Sequence, residues 1–148
     1  MAVQVPPTVA KAFSVCHRSV VRLSRGHLLT RFRGEPMILL TTTGRRTGKE
    51  RTWPLTGLRA ADGWAVAASN GGQARHSAWF HNLEADPRAT VTEAGRSVRV
   101  RARILEGAER DDWYARFVAY LPVYTEHAEH AAEHGRTIPV VLLTPDDR

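Results

Sequence analysis

Between Val98 and Ile104 the chain alternates in strict twos. Val98, Val100, Ala102 and Ile104 fall on one side, and Arg99, Arg101 and Arg103 on the other. A period of two puts successive side chains on opposite faces of a pleated strand, so this stretch reads as a half-buried antiparallel strand with a cationic outer face. Neighbouring segments extend the pattern. Pro36–Thr42, Arg51–Arg59, Trp64–Asn70, Ala89–Glu93, Ser97–Leu105 and Ile138–Thr144 all read as strands, separated by turn signals at Ala61-Asp62-Gly63 and Ala94-Gly95-Arg96. Helical or turn segments are expected at Ser77–Glu84, stopped by Asp86-Pro87, and at Glu109–Leu121, stopped by Pro122. Six strands with few helices between them predict a mainly β fold, an antiparallel β-barrel with peripheral helices (α+β), because closure removes exposed strand edges.

At 148 residues the chain has the length of one domain. Residues 31–148 are expected to form the barrel and residues 1–30 an amphipathic helix carrying Val9, Phe13, Cys16, Val20 and Leu23 on one face. Lys11, Arg18, Arg22 and Arg25 lie largely off that face, so the helix either packs on the barrel or rests peripherally on anionic lipid. Cys16 is the single cysteine, which excludes an internal disulfide and fits a reducing compartment. No apolar run reaches bilayer length and no secretory leader is evident, so the expectation is a cytoplasmic protein, with membrane association only through that helix. The net charge of +6 suits a nucleic acid, an anionic surface or an anionic small ligand. The cations fall in separate clusters, not a continuous stripe, which argues against nucleic acid.

Two segments carry the chemical interest. Leu39 to Arg51 places hydroxyls, Gly44, Gly48 and four cations on one strand–loop–strand. Glycines let backbone approach a ligand, loop N–H groups can cup an anion, and arginines grip phosphate or carboxylate bidentately. The order of a Walker A loop is absent, and a plain solvated hairpin loop remains the alternative. The second segment runs Ala67-Ala68-Ser69-Asn70-Gly71-Gly72, followed by His76-Ser77-Ala78-Trp79-Phe80-His81-Asn82-Leu83. Small residues and paired glycines there let a flat ligand lie against backbone, while helical spacing leaves Trp79 and Phe80 equally suited to core or stacking. His127, His130 and His134 share one face of a polar helix, expected to be exposed; no metal site is assigned to them.

Four ordered motifs resemble the deazaflavin-dependent nitroreductase family. They are Thr41-Thr42-Thr43-Gly44-Arg45-Arg46-Thr47-Gly48, Ala67 to Gly72, Trp79-Phe80-His81-Asn82-Leu83 with Asp86-Pro87, and Arg136-Thr137-Ile138-Pro139-Val140-Val141, in register from about Phe32 to Leu143. The resemblance implies a split β-barrel that binds coenzyme F420 and reduces small-molecule acceptors such as quinones or nitroaromatics. It implies that Arg45, Arg46, Thr47, Gly48 and Arg51 hold the coenzyme's phosphate and oligoglutamate tail. Thr52, Trp53, Pro54 and Leu55, with Ala68, Ser69, Asn70 and Gly71, would wall the deazaflavin ring. Trp79, Phe80, His81, Asn82 and Leu83 would form a further coenzyme-contacting turn. Tyr124 matches a tyrosine near ring and acceptor, either as proton donor or as pocket wall. Where nitroreducing relatives carry additional tyrosines in the substrate pocket, this chain has Thr56, Gly57, Leu121 and His127, so the acceptor stays open. An FMN-binding redox protein on the same barrel and a non-catalytic F420 carrier or sensor are the competing readings. The oligomeric state is not legible.

Overall fold

A computed structural model describes residues 31–32 and 35–147. The expected helix over residues 1–30, Cys16 included, lies outside the described residues.

The chain order is β1 (Arg31–Phe32), β2 (Glu35–Thr43), β3 (Glu50–Thr56), β4 (Leu58–Arg59), β5 (Trp64–Ala67), a 3-10 turn (Asn70–Gly72), α1 (Ala78–Ala85), β6 (Arg88–Glu93), β7 (Arg96–Ile104), α2 (Gly107–Tyr120), α3 (Val123–Glu133) and β8 (Val140–Pro145). All pairings are antiparallel. They run β2–β6–β7–β8–β5–β4, with β3 pairing back onto β2. The expected strand Arg51–Arg59 is therefore two strands. It breaks at buried Gly57, where pairing passes from β2 to β5, and this change of partner closes the ring of strands. A Cβ at Gly57 would sit 3.0 Å from the Ile38 side chain, which would have to shift by a few tenths of an ångström to admit one. The mainly β barrel with peripheral helices is the observed fold.

Alternation explains how the strands are packed. On β5, Trp64 and Val66 enter the barrel interior with Ile38, Leu40, Val91, Val100, Val141 and Leu143. Ala65 and Val140 face the other way, into a second cluster with Leu105, Tyr114, Phe117, Tyr124, Ala131 and Ile138. Strands β5 and β8 are thus covered on both faces, by the barrel interior and by α2 and α3. This is why β8 reads as an unbroken apolar run. On β7 the outward arginines Arg99, Arg101 and Arg103 are exposed as the alternation requires. Ile104 departs from it, 37% exposed at the strand's end.

Two further features differ from the sequence reading. The strand expected over Trp64–Asn70 stops at Ala67, because Asn70 (φ 47), Gly71 (φ 63) and Gly72 (φ 75) turn the chain. The histidine-bearing helix is not simply an exposed polar one. It buries Tyr124 and Ala131 and lays His127 against the 3-10 turn.

The β6–β7 connection has Ala94 at φ 49 and Gly95 at φ 79, with Glu93 opposite Arg96. These positive angles are those of a two-residue hairpin turn matched to strand twist. Alanine is strained there. Ala94→Asn is expected to raise unfolding stability by about 0.5–1 kcal/mol in chemical denaturation, since asparagine tolerates this conformation.

Candidate functional site

The β2–β3 connection is a tight loop closed by backbone bonds from Gly44 N–H to Lys49 O (2.8 Å) and from Gly48 N–H to Gly44 O (2.8 Å). The Asn82 side chain, buried on α1, ties this loop to the helix. Its Oδ1 accepts from the Arg45 backbone N–H (3.1 Å), and its Nδ2 donates to Thr42 Oγ1 (3.0 Å). Thr41 and Thr52 hydroxyls bond across β2 and β3 at 2.8 Å. Asn82 therefore sets where Arg45 stands. Asn82→Ala is expected to cost about 1–3 kcal/mol of stability by stripping partners from two polar groups, checked by thermal and denaturant unfolding.

Beside this loop lies a cleft of about 1060 Å³. One wall is the loop itself with Arg45, Arg46, Thr47, Arg51 and Trp53. The opposite wall is Arg75, His76, Ala78, His81 and Asn82, and the segment from His134 to Thr137 closes the remaining side. The volume matches that of small-molecule and cofactor sites.

Charge pairing separates the cleft's cations from most others. Arg59, Arg88, Arg101, Arg103 and Arg110 each meet a carboxylate, namely Glu93, Asp86, Asp146, Glu109 and Asp111. Among the described residues, Arg45, Arg46, Arg51 and Arg75 meet none. Four uncompensated cations around one concavity attract and orient an anion. Among the described residues Lys49, Arg96, Arg99 and Arg116 are likewise without a carboxylate, and they do not line the cleft.

Arg136 is the site's buried cation, 7% exposed. Its guanidinium donates to Gln73 O (2.7 Å), Ala68 O (3.1 Å), Ser69 O and His76 Nδ1 (2.9 Å). It thereby fixes the end of β5 and the turn after it. Burial lowers the Arg136 pKa from its ordinary value. The His76 pKa is also lowered, first by burial and then by Arg136 and His81, with Glu84 opposing.

Of the residues expected to contact coenzyme, the cleft gathers Arg45, Arg46, Thr47, Arg51, Trp53, His81 and Asn82. Gly48 sits in the same loop. Thr52, Pro54 and Leu55 belong to β3, with Leu55 packed on the barrel interior. Ala68 is fully buried, and Ser69, Asn70 and Gly71 form the turn braced by Arg136. Trp79, Phe80 and Leu83 are buried, their helix anchored in the barrel interior. Thr56, Gly57, Leu121, Tyr124 and His127 do not line the cleft. Tyr124 is 8% exposed in the helix-side cluster, its backbone O accepting from Tyr114 Oη at 2.6 Å. Burial raises the Tyr114 pKa to about 12. His127 is half-buried, and burial lowers its pKa.

Sequence reasoning missed Arg75, His76 and Arg136 as cleft residues. Arg136 had a signal, a lone arginine a few residues before an apolar strand, but the carbonyls it serves lie more than sixty residues away in sequence.

The family model described as F420H(2)-dependent quinone reductase matches residues 15–145. The chain belongs to that family. It is an oxidoreductase using coenzyme F420, and the broader nitroreductase label narrows to the quinone reductase branch. This F420H(2)-dependent quinone reductase family member is 32% identical over 131 residues to a protein of that name from Mycobacterium tuberculosis, covering 86% of this chain and 87% of that one. A solved F420-H2 dependent reductase, FDR-A, superposes with a TM-score of 0.65 at 35% identity, covering 73% of this chain and 93% of that one. A domain-swapped dimer superposes at 0.68 with 30% identity, covering 87% and 96%. No helix among the described residues is long and apolar enough to cross a membrane.

The cleft's cations fit the acidic part of the coenzyme: a phosphate and glutamate tail call for several cations without carboxylate partners, and among the described residues Arg45, Arg46, Arg51 and Arg75 line the cleft in that state.

Proposed function

We propose that this protein reduces a quinone-type acceptor, with the coenzyme's acidic end held by Arg45, Arg46 and Arg51 and its ring placed toward Trp53 and the segment Ala68 to Gly71. The observation that carries this reading is the set of arginines facing one cleft that meet no carboxylate among the described residues, Arg45, Arg46, Arg51 and Arg75. When bound, the reduced deazaflavin supplies the hydride, and the protein supplies binding, orientation and electrostatics. The loop arginines neutralise charge, Asn82 keeps Arg45 in place, and Arg136 fixes the turn beside the ring position.

A proton must join the hydride to complete reduction of a quinone to its hydroquinone. It comes from Tyr124 or from water. The burial of Tyr124 outside the cleft supports water, and leaves Tyr124 the task of seating α3 against α2. Tyr124→Phe separates the two. Full turnover with unchanged coenzyme affinity fits water; a large loss of turnover at unchanged affinity assigns the proton to Tyr124.

Oxidation of reduced F420 in the presence of a panel of quinones and nitroaromatics tests the reading. Acceptor-dependent loss of reduced coenzyme with quinones is the expected result. A carrier or sensor of the coenzyme predicts tight binding with no such loss for any acceptor.

A further inference from the structure

An arginine side chain can only donate hydrogen bonds. Arg136 Nη1 lies 2.9 Å from His76 Nδ1, so that nitrogen must be the acceptor, with its lone pair free of a proton. The imidazole is therefore neutral and its single N–H is on Nε2. Among the described residues no hydrogen bond or ion pair engages Nε2, and the side chain lines the cleft.

We infer that His76 is a coenzyme-positioning residue, locked by Arg136 into the Nε2–H form so that it offers one donor to an oxygen of the bound coenzyme. This rests on the coenzyme reading above. Arg136 acts at one remove. The same guanidinium that fixes the His76 tautomer holds the carbonyls of Ala68, Ser69 and Gln73, so the imidazole and the turn wall form one unit.

The arrangement has a directional consequence. Protonating His76 would turn Nδ1 into a second donor pointed at Arg136, breaking its bond to the guanidinium that braces the turn. The other groups around the ring are Arg75 beside it in sequence and, on α1, Phe80 (centroids 4.9 Å apart), His81 (5.7 Å) and Glu84. Of these only Glu84 favours a proton on His76. Because the folded-state pKa lies below the ordinary 6.5, the neutral arrangement is fully present above pH 6.5 and is lost as pH falls through the folded value. A simple electrostatic view predicts the opposite, since added positive charge in a cationic cleft should strengthen anion binding.

The test compares the wild type, His76→Asn and His76→Phe, with F420 affinity measured by fluorescence between mildly alkaline and mildly acidic pH. Asparagine can present an oxygen to Arg136 and does not titrate in this range. The expected result is that wild-type affinity falls relative to His76→Asn by about tenfold on acidification, and that His76→Phe binds about tenfold more weakly than wild type at neutral pH. A wild-type to His76→Asn ratio that is flat or rises on acidification overturns the inference. Nitrogen-15 NMR of the coenzyme-free wild type decides the tautomer independently, and it depends on no variant folding. An Nε2–H ring that protonates only below 6.5 supports the inference, and an Nδ1–H ring overturns it. Arg136→Lys adds a readout of the brace: faster hydrogen exchange at the Gly72 and Gln73 amides, which bond to Ser69 O and Asn70 O. Absence of F420 binding to the wild type at every pH would sink the coenzyme reading, while the NMR result would still stand or fall by itself.

Discussion

Replacing Arg46 and Arg51 together by alanine is expected to weaken F420 binding at least a hundredfold while leaving the melting temperature nearly unchanged. Both side chains are exposed on the β2–β3 loop and its flank, and among the described residues neither meets a carboxylate. Their removal therefore costs the fold little. A charge-assisted bond to a phosphate or carboxylate is worth about tenfold or more in affinity, after discounting for solvent screening at an exposed site. The loss should shrink at high salt, because the attraction being removed is itself screened. Fluorescence titration at low and high salt, alongside thermal unfolding, reads both quantities. Wild-type affinity in the double variant would place the acidic end of the coenzyme elsewhere, with Arg75 the next candidate.

Gly72→Ala is expected to destabilise the protein by about 2–5 kcal/mol, as strain from a positive φ adds to collision with packed neighbours. Gly72 is buried at φ +75, and a Cβ there would come within 2.5 Å of His127 O and 2.8 Å of His130 Cβ. The 3-10 turn packs directly on α3, so the collision cannot be relieved by rotating a flexible side chain. One element or the other must move. Because Arg136 holds the same turn, the damage should reach the cleft, giving weaker F420 binding together with a lower denaturation midpoint. An unchanged midpoint would mean that α3 gives way without cost, and that its packing on the turn is not what fixes that wall.

Much of the fold was legible because strands announce themselves through a period of two. Strand β7 is the clearest case: Val98, Val100 and Ala102 face inward, and the arginines between them face solvent. Where the reading missed, the cause was tertiary. Gly57 breaks a continuous β-prone run because the barrel must change pairing partners there, and no local signal distinguishes such a glycine from one inside a strand. Likewise, α3 looked solvated because its histidines and glutamates are polar, yet His127 is half-buried through its approach to Gly72. The cleft's loop side was readable because glycines and arginines cluster within a few residues of each other. Its far side was not. Arg75, His76 and Arg136 meet only after the barrel has closed, and the bond from Arg136 to His76 spans sixty positions.

The arginines of the β2–β3 loop are the point on which the account turns. Parallel titrations of the wild-type protein with F420 and with FMN, each at rising salt, test it most directly. F420 is expected to bind at micromolar concentration or tighter, FMN more weakly because it has a phosphate but no glutamate tail, and the F420 advantage to narrow as salt rises. FMN binding as tightly as F420, or an F420 affinity indifferent to salt, would contradict it.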